Sequence, residues 1–207
     1  IMAHGDDKGL KLPPKLAPHQ IVIVPIIPND KDKDSVMTVV NQLNDTLSEF
    51  RVIIDDRSEV SPGFKFNEWE QKGVPLRVEV GPKDIEKNTI LVSRRDDESK
   101  NSYPMDDVQN TIKKLLDEIQ DNLYKNSENT LKENTTHVES FSELIEVLNS
   151  KKGFVSCFWK ENKEDELKIK EETTATLRCY PLENTDSEKA VNSDSENGNF
   201  AIFSKAY

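Results

Sequence analysis

Apolar and polar positions alternate along this chain in two distinct periods, and the switches between them mark out its elements. Residues 20–27 (QIVIVPII) are β-branched and almost wholly apolar, as in a strand buried on both faces, and Pro25 ends or bulges that strand. The charged run 29–34 and Ser35 supply helix-capping side chains. Val36, Val39, Val40, Leu43, Leu47 and Phe50 then recur at the helical spacing and form one apolar stripe. Residues 51–54 predict a second strand, 76–80 alternate as a third, and 90–93 make a fourth. The order strand, helix, strand, helix, strand, strand predicts an α/β sandwich built on a mixed sheet.

After Pro104 a longer stripe, Met105, Val108, Ile112, Leu115, Leu116, Ile119 and Leu123, predicts about five turns of helix. Beyond Tyr124 it fades into KNSENTLKENTTH, read as a polar continuation joining two domains. Phe141, Leu144, Ile145 and Leu148 predict a shorter helix that stops at Lys152 and Gly153. A strand at 154–159, a helix at 164–172 and a strand at 174–180 come next. Residues 183–199 are polar and poor in aromatics, the composition of a flexible loop. The apolar piece 200–203 and the closing SKAY predict an ordered end. No internal repeat is present.

Length and charge narrow the class. With 207 residues the chain is one large domain or two small ones. No window approaches the ~20 apolar residues of a membrane-spanning helix. The first residues lack the basic start and apolar middle of a secretory signal. Two cysteines exclude a disulfide scaffold and make a reducing, cytoplasmic setting the default. Twenty-eight Lys and Arg against 39 Asp and Glu leave a net charge of −11, which excludes coating DNA or an anionic membrane through phosphate contacts. Reading a few splayed-out RNA bases remains open, because stacking and base-edge hydrogen bonds carry that recognition.

His4, His19 and His137 lie far apart and read as surface or structural residues. There is no nucleophile elbow and no glycine-rich phosphate loop, and seven glycines in all argue against a self-contained ATP site. Cys157 and Cys179 each stand alone, with no histidine at pairing distance, so two buried reduced thiols are favoured over zinc. The dense stretch is PGFKFNEWEQKGVPLRVEVGPKD, residues 62–84. There Phe64, Phe66 and Trp69 interleave with Lys65, Glu68, Glu70 and Lys72, and Gly73, Pro75, Gly81 and Pro82 punctuate its second half. Rings that stack, an Arg that forks onto guanine acceptors and a carboxylate that takes guanine N–H groups would suit RNA. The same residues also compose an amphipathic helix with core aromatics and solvated charges. Composition alone favours the second reading.

Three segments outweigh that preference: HGDDKGLKLPPKLAPHQIVIVPI (4–26), the 62–84 stretch, and IKEETTATLRCYPLE (169–183). Together with the closing SKAY they resemble prolyl-tRNA synthetases of the type with an extra C-terminal domain. The resemblance implies three parts. Residues 1–17, with His4, Asp6, Asp7 and Lys8, would be the remnant of a class II catalytic domain. Residues 18–128 would be the α/β anticodon-binding domain, a mixed sheet sandwiched by helices, and residues 129–207 a small α+β C-terminal domain. No catalytic residue is implied in this piece, which alone would be inactive as a proline–tRNA ligase.

The resemblance also implies roles for single residues. Phe66 would be a stacking or positioning ring, Glu70 would accept from a guanine edge, and Arg77 would fork onto another guanine or its phosphate. Lys83 and Asp84 would complete a guanine pocket, and Arg94, or Arg95 or Lys100, would supply a further basic contact. Glu68, Lys65 and Lys72 read as surface residues. Cys157 and Cys179 would be the remnants of a four-cysteine zinc site. The carboxylate of Tyr207 would turn toward the catalytic domain. Implied partners are proline tRNA and the catalytic domain of the same enzyme. The parent would be a homodimer using ATP and Mg²⁺. A free-standing anticodon-domain-like interaction or regulatory module, without ligase activity, is the alternative.

Overall fold

The apolar block at 20–27 becomes β1 (Ile21–Pro25), the second strand of a five-stranded sheet. The structure is a computed structural model; it describes residues 2–182 and 187–205, and the chain divides into two units, 1–127 and 128–207. In the first unit β1 is followed by α1 (Lys33–Thr46), β2 (Val52–Ile54), α2 (Pro62–Gln71) and β3 (Leu76–Val80). Then come α3 (Pro82–Glu86), β4 (Thr89–Arg94), β5 (Lys100–Pro104) and α4 (Val108–Glu133). Strand order is β2-β1-β3-β4-β5, the first three parallel and the last two antiparallel, so the sheet is mixed as its pattern predicts.

Both faces of β1 are apolar for a visible reason. Ile21 and Ile23 pack with Leu76, Val78, Ile90 and Val92 against the stripes of α1 and α4. Val22 and Val24 pack on the other side with Trp69 and Phe66 of α2. Pro25 is the last residue of the strand, where its missing N–H costs no ladder bond. Beyond β1 the second face changes character. Alternation along β3 and its register with β4 and β5 place Arg77, Glu79, Ser93 and Lys100 there. Neither α3 nor β5 follows from the periodicity. The strand Lys100–Pro104 is polar, and its pairing comes from β4 rather than from an apolar alternation of its own.

The second unit contains β6 (Thr135–His137), α5 (Phe141–Ser150), β7 (Phe154–Trp159) and α6 (Lys163–Thr173). After these come β8 (Ala175–Cys179), β9 (Ser187–Lys189) and β10 (Asn197–Lys205). Strand order is β6-β7-β10-β8, with β9 also pairing β10. Leu144, Leu148, Val155, Cys157, Trp159, Ile169 and Phe203 form its core.

Three expectations need correcting. The polar helix ends at Glu133, and the β-branched pair Thr135–Thr136 enters a strand beside β7. The flexible loop expected at 183–199 is instead, over residues 187–199, strand β9, a turn over 190–196 and the start of β10. Ala190 is buried there and the Val191 N–H donates to the Phe158 carbonyl at 2.8 Å, so a few anchors order a stretch whose side chains are mostly polar. Cys157 is buried, but Cys179 is exposed rather than buried. Residues 183–186 and Tyr207, with the expectation attached to each, lie outside the described residues.

Candidate nucleic-acid interface

Helix α2 starts where Ser61 accepts the Phe64 N–H on its hydroxyl and Pro62 takes the first helical position. It ends in a Schellman turn. The Gly73 N–H donates to the Glu70 carbonyl at 3.0 Å and the Val74 N–H to the Trp69 carbonyl at 3.1 Å. Gly73 adopts φ +73°, and a Cβ there would lie 2.6 Å from Leu10. This reversal delivers the chain directly into β3. Glu70, Arg77, Ser93 and Lys100 thereby line one cleft of about 160 Å³.

Arg77 is held from several sides. Its guanidinium carbon stands 4.2 Å from the centre of the Phe66 ring, a cation–π contact. Its Nε donates to Glu79 Oε1 at 3.3 Å and its Nη2 to the Ser93 hydroxyl at 3.3 Å. Lys100 donates to the other Glu79 oxygen at 2.9 Å and lies 5.7 Å from the same ring. The Glu70 carboxylate accepts no hydrogen bond from the described residues, while its carbonyl takes Arg95 Nε at 3.1 Å. A fixed fork of donors and an acceptor without a hydrogen-bond partner therefore share one cleft.

Phe66, Glu70 and Arg77 are brought together. Lys83 and Asp84 sit instead on α3, past the end of β3, where Asp84 accepts the Gly81 N–H at 3.0 Å and caps the helix. Arg94 and Arg95 also border the cleft, but of the three basic candidates only Lys100 shares the face of Arg77. Arg94 pairs with Leu76 across the sheet and so points to the opposite face. There it donates to Asp96 at 2.7 and 3.0 Å and to Glu118 of α4 at 3.0 Å. Arg95 is buried and engaged with Asp6 and the Glu70 carbonyl. Val74, Ser93 and Glu98 of the cleft lining, and Glu79, which is bonded to Arg77, are the residues that sequence reasoning misses. The alternation of 76–80 puts Arg77 and Glu79 on one face, a signal present in the sequence; Ser93 joins them only through the register of β3 with β4.

Lys65 is another correction. It is not a surface residue but 4% exposed, and it donates to the Asp55 carbonyl at 3.0 Å. Its charge is tolerated because Asp55 lies beside it. That carboxylate accepts Trp69 Nε1 and two Arg57 nitrogens, each at 2.8 Å. Those hydrogen bonds, led by Arg57, pull the Asp55 pKa down to about 2. Arg57 and Lys72 also grip Glu68, each at 2.6 Å, and Lys72 lies 4.5 Å from the Trp69 ring. The aromatic helix is thus both core and platform.

The cysteines do not form a pair. Cys157 lies opposite Ala201 in the core, whereas Cys179 lies opposite Ile202, where the register of β10 with β8 shifts, and is exposed. Among the described residues no three His, Cys, Asp or Glu side chains are grouped to hold a metal ion. No described helix is long and apolar enough to cross a membrane.

Known proteins match both units of the chain. A family model described as an anticodon-binding domain matches residues 20–115, and one described as the C-terminal region of prolyl-tRNA synthetase matches 141–207. A proline–tRNA ligase from a Roseiflexus species is 43% identical over the whole chain, which covers 44% of that protein. One from Natranaerobius thermophilus is 44% identical over 88% of the chain and 38% of its own length. The chain therefore spans under half the length of the curated relatives it matches. The crystal structure of the Cryptosporidium parvum prolyl-tRNA synthetase with L-proline and AMP superposes on all of the chain, and on 45% of its own, with a TM-score of 0.88 at 37% identity.

Proposed function

We propose that this chain, which belongs to the prolyl-tRNA synthetase family, grips the anticodon loop of a proline tRNA on the polar face of β3–β5. The observation that carries the reading is the cleft in which Arg77, fixed over the Phe66 ring, lies with the Glu70 carboxylate. Guanine offers two acceptors, N7 and O6, to the guanidinium nitrogen that Glu79 and Ser93 leave open, Nη1. It also carries N–H donors that a carboxylate can accept. One cleft therefore has the means to take a guanine and refuse an adenine. Phe66 acts mainly as a platform for Arg77, since the guanidinium covers its ring. Lys83, and the Asp84 oxygen not used by Gly81, extend the reading to a second base beyond the end of β3.

Joining proline to that tRNA is, in this reading, the work of the whole enzyme, a cytoplasmic homodimer that uses ATP and Mg²⁺. The described residues contribute recognition. The test is a titration of the chain with a fluorescent proline anticodon stem-loop. Arg77→Ala and Glu70→Ala should each weaken binding about tenfold or more, the loss expected for one base readout of about 1–3 kcal/mol. Unchanged affinity in both variants would overturn the reading.

A further inference from the structure

Glu79 is a carboxylate only 5% exposed on the polar face of β3. It caps no helix. Each of its oxygens meets a cation: Oε1 takes Arg77 Nε and Oε2 takes Lys100 Nζ. The Ser93 hydroxyl also lies 3.4 Å from Oε1. The same two cations crowd one ring, Phe66. Like charges so placed repel unless an anion lies between them.

We propose that Glu79 is a positioning residue for base discrimination. It assigns one oxygen to each cation and fixes both beside Phe66. Arg77 Nη1, which bonds none of the described residues, is left for an incoming base. The inference rests on the anticodon reading above and adds a residue that the base need not touch. It also carries a cost of definite sign. A carboxylate beneath an RNA-binding face repels phosphate, so Glu79 lowers general affinity while raising selectivity. A residue that only supported the fold would affect both loops alike.

The experiment measures the affinity of the full chain for two anticodon stem-loops, one with its two guanines and one with both replaced by adenine. In Glu79→Gln the side chain keeps its shape and an acceptor but loses its charge. The adenine loop should bind threefold or more tighter than it does to the unaltered chain. The ratio between loops should fall from tenfold or more to below threefold. Circular dichroism checks the fold. If Glu79→Gln does not fold, Glu79→Asp replaces it, keeping the charge but too short to span both cations. Its ratio should fall with little gain for the adenine loop. A variant that discriminates as well as the unaltered chain, or weakens both loops equally, overturns this inference alone. An unaltered chain that does not discriminate overturns the anticodon reading and the inference with it.

Discussion

Arg95 fastens Asp6 to the turn that carries Glu70. Its two terminal nitrogens donate to the Asp6 carboxylate at 3.0 and 2.5 Å, while its Nε donates to the Glu70 carbonyl. The Leu10 N–H donates to the Gln71 carbonyl at 3.0 Å and the Leu12 N–H to that of Gly73 at 3.3 Å. The first residues of the chain thus clamp the Schellman turn from outside and belong to the frame of the cleft.

Removing the clamp should loosen the first unit. Arg95→Ala leaves Asp6 without its main partner and strips one donor from the Glu70 carbonyl. Because Asp6 is 30% exposed, the loss falls below the 3–5 kcal/mol of a fully buried pair, at about 1–3 kcal/mol. Urea denaturation measures it, and an unshifted midpoint would contradict the clamp.

Two glycines in one segment should respond in opposite ways. Gly73→Ala forces a side chain into φ +73° and into the Leu10 backbone, for a loss of about 1–3 kcal/mol. Gly63 lies inside α2 with nothing within 4 Å of its added Cβ, so Gly63→Ala should gain about 0.5–1 kcal/mol through helix propensity. Thermal melts of the two variants check the pair of signs.

Acid should weaken the first unit over a defined window. The Asp55 pKa is held at about 2 by Arg57 and Trp69, below the ordinary carboxylate value near 4. A depressed folded-state value means that the stabilisation is complete above pH 4 and is lost as pH falls toward 2. The loss is about 2 kcal/mol. Asp6, lowered chiefly by Arg95, acts in the same direction. Asp55→Asn should flatten the fall in denaturation midpoint between pH 4 and 2; a slope equal to that of the unaltered chain would refute the assignment.

The two thiols should separate in a reagent test. Cys179 is exposed, whereas burial pushes the Cys157 thiol up to about 12. One equivalent of a disulfide reagent should react with the folded chain near neutral pH, and the second only after denaturation. Cys179→Ser should abolish the first equivalent.

Much of the frame was legible because burial writes periodicity into sequence. The stripes of α1 and α4 announced themselves because each packs one continuous apolar face, and the block at 20–27 because both faces of its strand are buried. β5 and β9 did not, because short polar strands take their pairing from a neighbour. In the cleft, Phe66, Glu70 and Arg77 lie within twelve residues on one helix–turn–strand unit, which a local pattern can reveal. Ser93 and Lys100 reach it through sheet register, which spacing does not encode. Lys65 looked solvated because its partner, Asp55, lies ten residues upstream in another element.

The central claim is that the face holding Arg77, Phe66 and Glu70 reads guanine. Its most direct measurement is the ratio of dissociation constants, in the unaltered chain at one moderate salt concentration, for the proline anticodon stem-loop and its double guanine-to-adenine counterpart. The account predicts at least tenfold tighter binding of the guanine loop, with most of that ratio lost in Arg77→Ala. Equal binding of the two loops would contradict it.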